Sequence, residues 1–180
     1  MREDDLFELL NPLFKTLNAL PDVGEEFREP ALDVLRYYAL PARFHWMPVL
    51  GRGWSLTSIV RQPADLSGSA RDATRLVDRA AAAAHTRYPP WPRGRGLAIA
   101  LTLIILTPEP IHDDDDDVLG RVLSDARRKR VVPIALFRLN LGQEAVALAV
   151  RDAAALFPEV NILADAITSK FQRFVPLFKF

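Results

Sequence analysis

The sequence contains no cysteine. Disulfide cross-links, thiolate nucleophiles and cysteine-ligated zinc or iron–sulfur centres are therefore excluded. An excess of charge of either sign is also missing, since 23 Lys and Arg residues face 23 Asp and Glu residues. The balance holds by halves: 11 basic and 12 acidic groups in residues 1–90, 12 and 11 in residues 91–180. No global field draws the chain to nucleic acid or to an anionic membrane, so neither is an expected partner. The longest apolar run, Leu97 to Leu106, is about half of what crosses a bilayer as a helix. The start, Met1-Arg-Glu-Asp-Asp5, is acidic and leads into an amphipathic pattern, unlike a secretory signal. A cytoplasmic protein is the expectation.

Histidine is scarce. His45, His85 and His112 form no His-x-x-x-His pair and no Glu-flanked zinc motif. His45, between Phe44 and Trp46, reads as a packed strand residue. No Gly-x-Ser-x-Gly elbow surrounds any serine, so a hydrolase triad has no support. What is present is apolar mass. At 49% hydrophobic residues over a length of 180, one domain with an ample core is expected.

The centre of the chain carries the clearest pattern. Leu97 to Leu106 is a buried-strand run, a helix-patterned segment follows the aspartates 113–117, and Val131 to Phe137 is a second such run. Together they predict a β-α-β unit. Upstream, Ala73, Leu76, Val77, Ala80 and Ala84 place a helix over 70–87, capped by Ser67 or Ser69. The proline-rich connector 88–96 ends it. Before that, Arg43–Leu50 and Trp54–Arg61 flank Gly51-Arg52-Gly53 and predict a β-hairpin.

Residues 4–19 carry a leucine stripe interrupted by Pro12, and 25–40 repeats a helical spacing through Leu32, Leu35, Tyr38 and Ala39. Between them Pro21-Asp-Val-Gly24 reads as a turn. Downstream, Val146, Ala149, Val150, Ala153 and Phe157 predict a helix over 143–157, and Val160–Ile167 a final strand. The expected fold is α/β: a mixed, mostly parallel sheet flanked by helices, a Rossmann-like sandwich, with an N-terminal helical pair and the hairpin. Residues 1–40 would form a helical extension packing on the core or a partner, and 41–180 the α/β domain.

The acidic run is the main candidate for chemistry. It follows a strand end, where open parallel sheets gather ligands. Adjacent carboxylates repel one another and a hard cation relieves that repulsion, so Asp113, Asp115 and Asp117 are candidate ligands for magnesium or manganese. Asp115-x-Asp117-x-x-Gly120 fits the spacing of Toprim-type metal sites. His112 or Glu109 would serve as ligand or general base, and Asp165 as a remote partner. Equally, aspartates at a helix start accept backbone N–H bonds and complement the helix dipole, or stand solvated. Apart from such a metal, no cofactor is expected.

Anion-binding candidates are Arg52 in the Gly-Arg-Gly turn and Arg127 and Arg128 in the Arg127-Arg-Lys-Arg130 patch, which sits where a helix C-terminus favours positive charge anyway. The aromatic tail, with Phe171, Phe174, Phe178 and Phe180, suits the core or an interface. Two functions follow. The first is a non-catalytic binding or assembly module of a signalling or regulatory system, working through protein contacts and self-associating. In element order alone it resembles TIR-like and other Rossmann-like signalling modules. The alternative is a divalent-metal-dependent phosphoryl-transfer or phosphodiester-cleaving enzyme built on 113–117.

Overall fold

A computed structural model describes residues 1–17, 20–23, 32–42, 53–66, 69–87, 98–125, 131–152, 154 and 157–173. In chain order the elements are α1 (Glu3–Thr16), β1 (Leu20–Val23), β2 (Asp33–Ala42), β3 (Gly53–Arg61), α2 (Ala70–Arg87) and β4 (Ala98–Leu106). Then come α3 (Asp115–Asp125), β5 (Val131–Asn140), β6 (Ala145–Val150), α4 (Pro158–Thr168) and β7 (Gln172–Arg173). The described strands form one seven-stranded sheet whose spatial order follows the sequence, β1 to β7.

The fold is α/β with a mixed sheet, as expected. Parallel pairing is confined to β3–β4–β5 and the short β6–β7 contact, while β1–β2, β2–β3 and β5–β6 are antiparallel. The ends of the sheet are thus more antiparallel than the expected mostly parallel arrangement. The crossovers through α2 and α3 step in the same direction, so right-handed connections put both helices on one face. There Leu76, Val77, Ala80 and Ala84 of α2 and Leu119, Val122 and Leu123 of α3 join Leu56, Val60, Leu101, Leu103 and Leu136 of the sheet. The other face packs Leu6, Leu10 and Phe14 of α1 and Val160, Leu163 and Ile167 of α4 against Ile59, Ile104 and Phe137.

Helix α2 forms as its alanine-rich pattern predicts, with Ser69 as its cap. The Asp72 amide donates to Ser69 Oγ at 3.3 Å, and that hydroxyl donates to Asp72 Oδ2 at 2.9 Å. Helix α1 runs through Pro12 as one element. Its first turn is closed by the Arg2 amide donating to Asp5 Oδ2 at 2.7 Å. Phe14 stacks on Tyr38 with ring centroids 3.9 Å apart. The Tyr38 hydroxyl donates to Asn11 Oδ1 at 2.6 Å, and burial pushes that phenol above its ordinary 10.0.

Three expectations are corrected. First, among the described residues the N-terminal pair of helices is one helix: residues 33–40 belong to strand β2, and 21–23, read as part of a turn, lie in strand β1. The side chains along the strand alternate instead, with Tyr37 and Ala39 facing α2 and α3 and Tyr38 facing α1. A bulge between Val34 and Arg36 obscures the period in the sequence. Second, β3 finds its antiparallel neighbour in β2; Arg43–Leu50 lies outside the described residues. Third, the last helix and strand exchange places.

Residues 145–150, expected within a helix, form β6, because the Leu141–Glu144 turn, with Glu144 at φ 51°, folds them back on β5. Ala145, Ala147 and Ala149 then lie under α3, and their small side chains let the helix approach closely. Residues 160–167, expected as a strand, lie in α4 (Pro158–Thr168): Pro158 opens the helix, and Val160, Leu163 and Ile167 fall on one stripe. Strand β5 also bulges at Ile134, since Pro133 pairs with Leu101 and Ala135 with Thr102. The bulge follows a proline that has no N–H for the ladder, and the Ile134 carbonyl accepts the Arg151 amide instead, at 2.9 Å. No helix among the described residues is long and apolar enough to cross a membrane.

Candidate functional site

The carboxyl ends of β3, β4 and β5 meet the amino ends of α2 and α3. The parallel ladders put Ile105 beside Val60 on one side and beside Arg138 on the other. Arg138 points to the α2–α3 face from near the carboxyl end of β5 and is only 6% exposed. A buried guanidinium needs carboxylates, and two converge on it. Nη1 donates to Asp115 Oδ2 at 2.9 Å, and Nη2 to Glu109 Oε2 at 2.7 Å. Asp115 is itself buried, in the first turn of α3, whereas Glu109 stands on the β4–α3 loop with its side chain 41% exposed. The Arg138 Nε is buried without a partner.

Asp115 has a second task. Its Oδ2 also accepts the His112 amide at 2.9 Å, closing the entry to α3 as a helix-start carboxylate does. Asp116 turns the other way: its Oδ1 accepts the Leu148 amide at 2.7 Å. That amide belongs to β6 beyond the two residues that β7 covers, and a helix side chain caps it there. Asp113, Asp114 and Asp117 are exposed. Among the described residues no group of three or more histidine, aspartate or glutamate side chains is arranged to hold a metal ion.

Beside Arg138 lies a cavity of about 20 Å³, lined among others by Gln62, Leu66, Asp72, Leu76, Ile105 and Leu119. That suffices for roughly one water and is far below the several hundred Å³ of a cofactor pocket. The β4–α3 loop is fastened from below by Asn140, whose Nδ2 donates to the carbonyls of Pro108 and Glu109 at 3.2 and 2.8 Å. Gln143 Oε1 accepts the Ile111 amide at 3.3 Å.

The structure thus separates the metal-ligand candidates Asp113, Asp115 and Asp117: the first and third face solvent and the second is bound to Arg138. Asp165 sits exposed on α4, whose packed stripe lies against the opposite face of the sheet. The anion-binding candidates Arg52, Arg127 and Arg128 lie outside the described residues, as do His45, Phe174, Phe178 and Phe180. Phe171 is buried.

Arg138 and Asn140, the hub of the site, escaped sequence reasoning because the strand was expected to stop at Phe137. The signal was available: Leu136-Phe-Arg-Leu139 continues the apolar run, and a charge inside such a run needs a buried counter-charge. Comparison with protein-family models, curated proteins and solved structures finds no match for the chain.

Proposed function

We propose that the chain is a non-catalytic binding or assembly module of a signalling or regulatory system, cytoplasmic, self-associating and acting through protein–protein contacts. The observation that carries this reading is the use made of the acidic run. Asp115 binds Arg138 and Asp116 binds the Leu148 amide, so internal bonds occupy the end of the sheet where α/β enzymes gather their ligands. The run β3–α2–β4–α3–β5 is read as a Rossmann-like half, wound in one direction. Val150 and Ile162, 37% and 40% exposed, are the large apolar side chains offered as contact points.

Sedimentation velocity over a wide concentration range tests the proposal. A concentration-dependent dimer that Ile162→Glu weakens would support it. A monomer at every concentration would count against self-association. Micromolar magnesium or manganese binding by calorimetry, removed in Asp113→Asn/Asp117→Asn, would favour the metal-dependent enzyme instead. Both positions are exposed, so that double change leaves the buried core untouched.

A further inference from the structure

The first turn of α3 leaves one carboxylate oxygen over. Asp115 is 6% exposed, and its Oδ2 accepts hydrogen bonds from both the Arg138 guanidinium and the His112 amide. Its Oδ1 accepts nothing from the described residues. An ionised oxygen in the interior needs a donor. Gln62, just after β3, is in a similar position. Its Nε2 donates to the Leu66 carbonyl at 2.7 Å, which fixes the orientation of the amide, and its Oε1 accepts nothing from the described residues. Both side chains line the same space, the cavity of about 20 Å³ beside Arg138.

We infer that this cavity is the binding site of a single water molecule, which donates one hydrogen bond to Asp115 Oδ1 and the other to Gln62 Oε1. Size and chemistry each narrow the occupant. The volume admits about one water and nothing larger, and a buried water needs two to four polar partners. The two free oxygens are acceptors, which the two O–H bonds of a water satisfy and an anion would meet with repulsion. So placed, the water ties the loop after β3 to the start of α3 and joins the two crossovers at the carboxyl end of the sheet. It also keeps the Asp115 carboxylate solvated while the pair with Arg138 stays closed.

Two measurements on the full chain test the site. In a high-resolution crystal structure, one solvent peak should lie within hydrogen-bond distance of both Asp115 Oδ1 and Gln62 Oε1. In solution, NMR cross-relaxation should connect water to the methyl groups of Leu76 and Leu119, which line the cavity and are shielded from bulk solvent, with the sign of a water that tumbles with the protein. Ala73→Val extends methyl groups at the cavity wall and should abolish both signals. Absence of either signal in the wild type would overturn the inference, since a crystal peak alone reports solvent held by the lattice. So would signals that survive Ala73→Val, or a peak with five or more oxygen neighbours at about 2.4 Å, which marks a metal cation.

Discussion

Replacing Arg138 by methionine removes the cation and keeps most of its apolar volume. The Asp115 side chain, 8% exposed, then faces the interior with the His112 amide as its remaining bond. Leaving one member of a buried pair uncompensated costs about 3–5 kcal/mol. The contact to Glu109, whose side chain is 41% exposed, adds less than about 1 kcal/mol. With a urea slope of about 2 kcal/mol/M, the unfolding midpoint should fall by roughly 2 M. Arg138→Met/Asp115→Leu removes both charges and should recover most of the loss, staying roughly 1–2 kcal/mol from wild type because the α3 cap is also gone. Urea unfolding followed by tryptophan fluorescence and circular dichroism reads four proteins: wild type, Arg138→Met, Asp115→Leu and the double variant. A midpoint shift below about 0.5 M for Arg138→Met, or a double variant as unstable as the sum of the singles, would refute the buried-pair account.

Two further outcomes follow from the geometry. Thr102, fully buried in β4, has a hydroxyl with no hydrogen-bond partner, so Thr102→Val should stabilise the fold by about 1 kcal/mol, measured by the same unfolding curves. Arg61 bonds Glu3 at 2.6 and 2.8 Å and holds its carboxyl below the ordinary 4.5. A depressed carboxyl stabilises the fold above its unfolded pKa and ceases to do so as pH falls through the folded value. Wild type should therefore exceed Glu3→Gln by a small margin at neutral pH, and the margin should close below pH 4.5. A margin that grew on acidification would contradict the pairing.

The parts of the fold that were legible in the sequence are those where one force acts alone. Strands β4 and β5 are buried on both faces and read as continuous apolar runs, and α2 has both a helical stripe and high intrinsic propensity. The C-terminal third was misread because two forces disagreed there. Val146, Ala149 and Val150 satisfy a helical spacing, yet Ala145, Ala147 and Ala149 also alternate, and pairing with β5 decides for the strand. In 160–167 the apolar density suggested a buried strand, while Pro158, taken as a stop, is the start of α4. At the site, Asp115 was singled out as a metal ligand and Glu109 as a ligand or general base, whereas both bind Arg138, whose position depends on long-range register that no local pattern encodes.

That register turns on one residue. Before Ile134, the odd-numbered residues of β5 face α2 and α3, as Val131 does; after it, the even-numbered ones do, as Leu136 and Arg138 do. The bulge acts as a parity switch on everything downstream. Were Ile134 taken into a regular ladder with no bulge, Phe137 and Leu139 would exchange faces with Arg138 and Asn140. The guanidinium would then lie among the leucines and phenylalanines of α1, and Asp115 and Glu109 would have nothing to bind. The single unpaired residue beside Pro133 thus determines on which side of the sheet the chain's polar machinery exists at all.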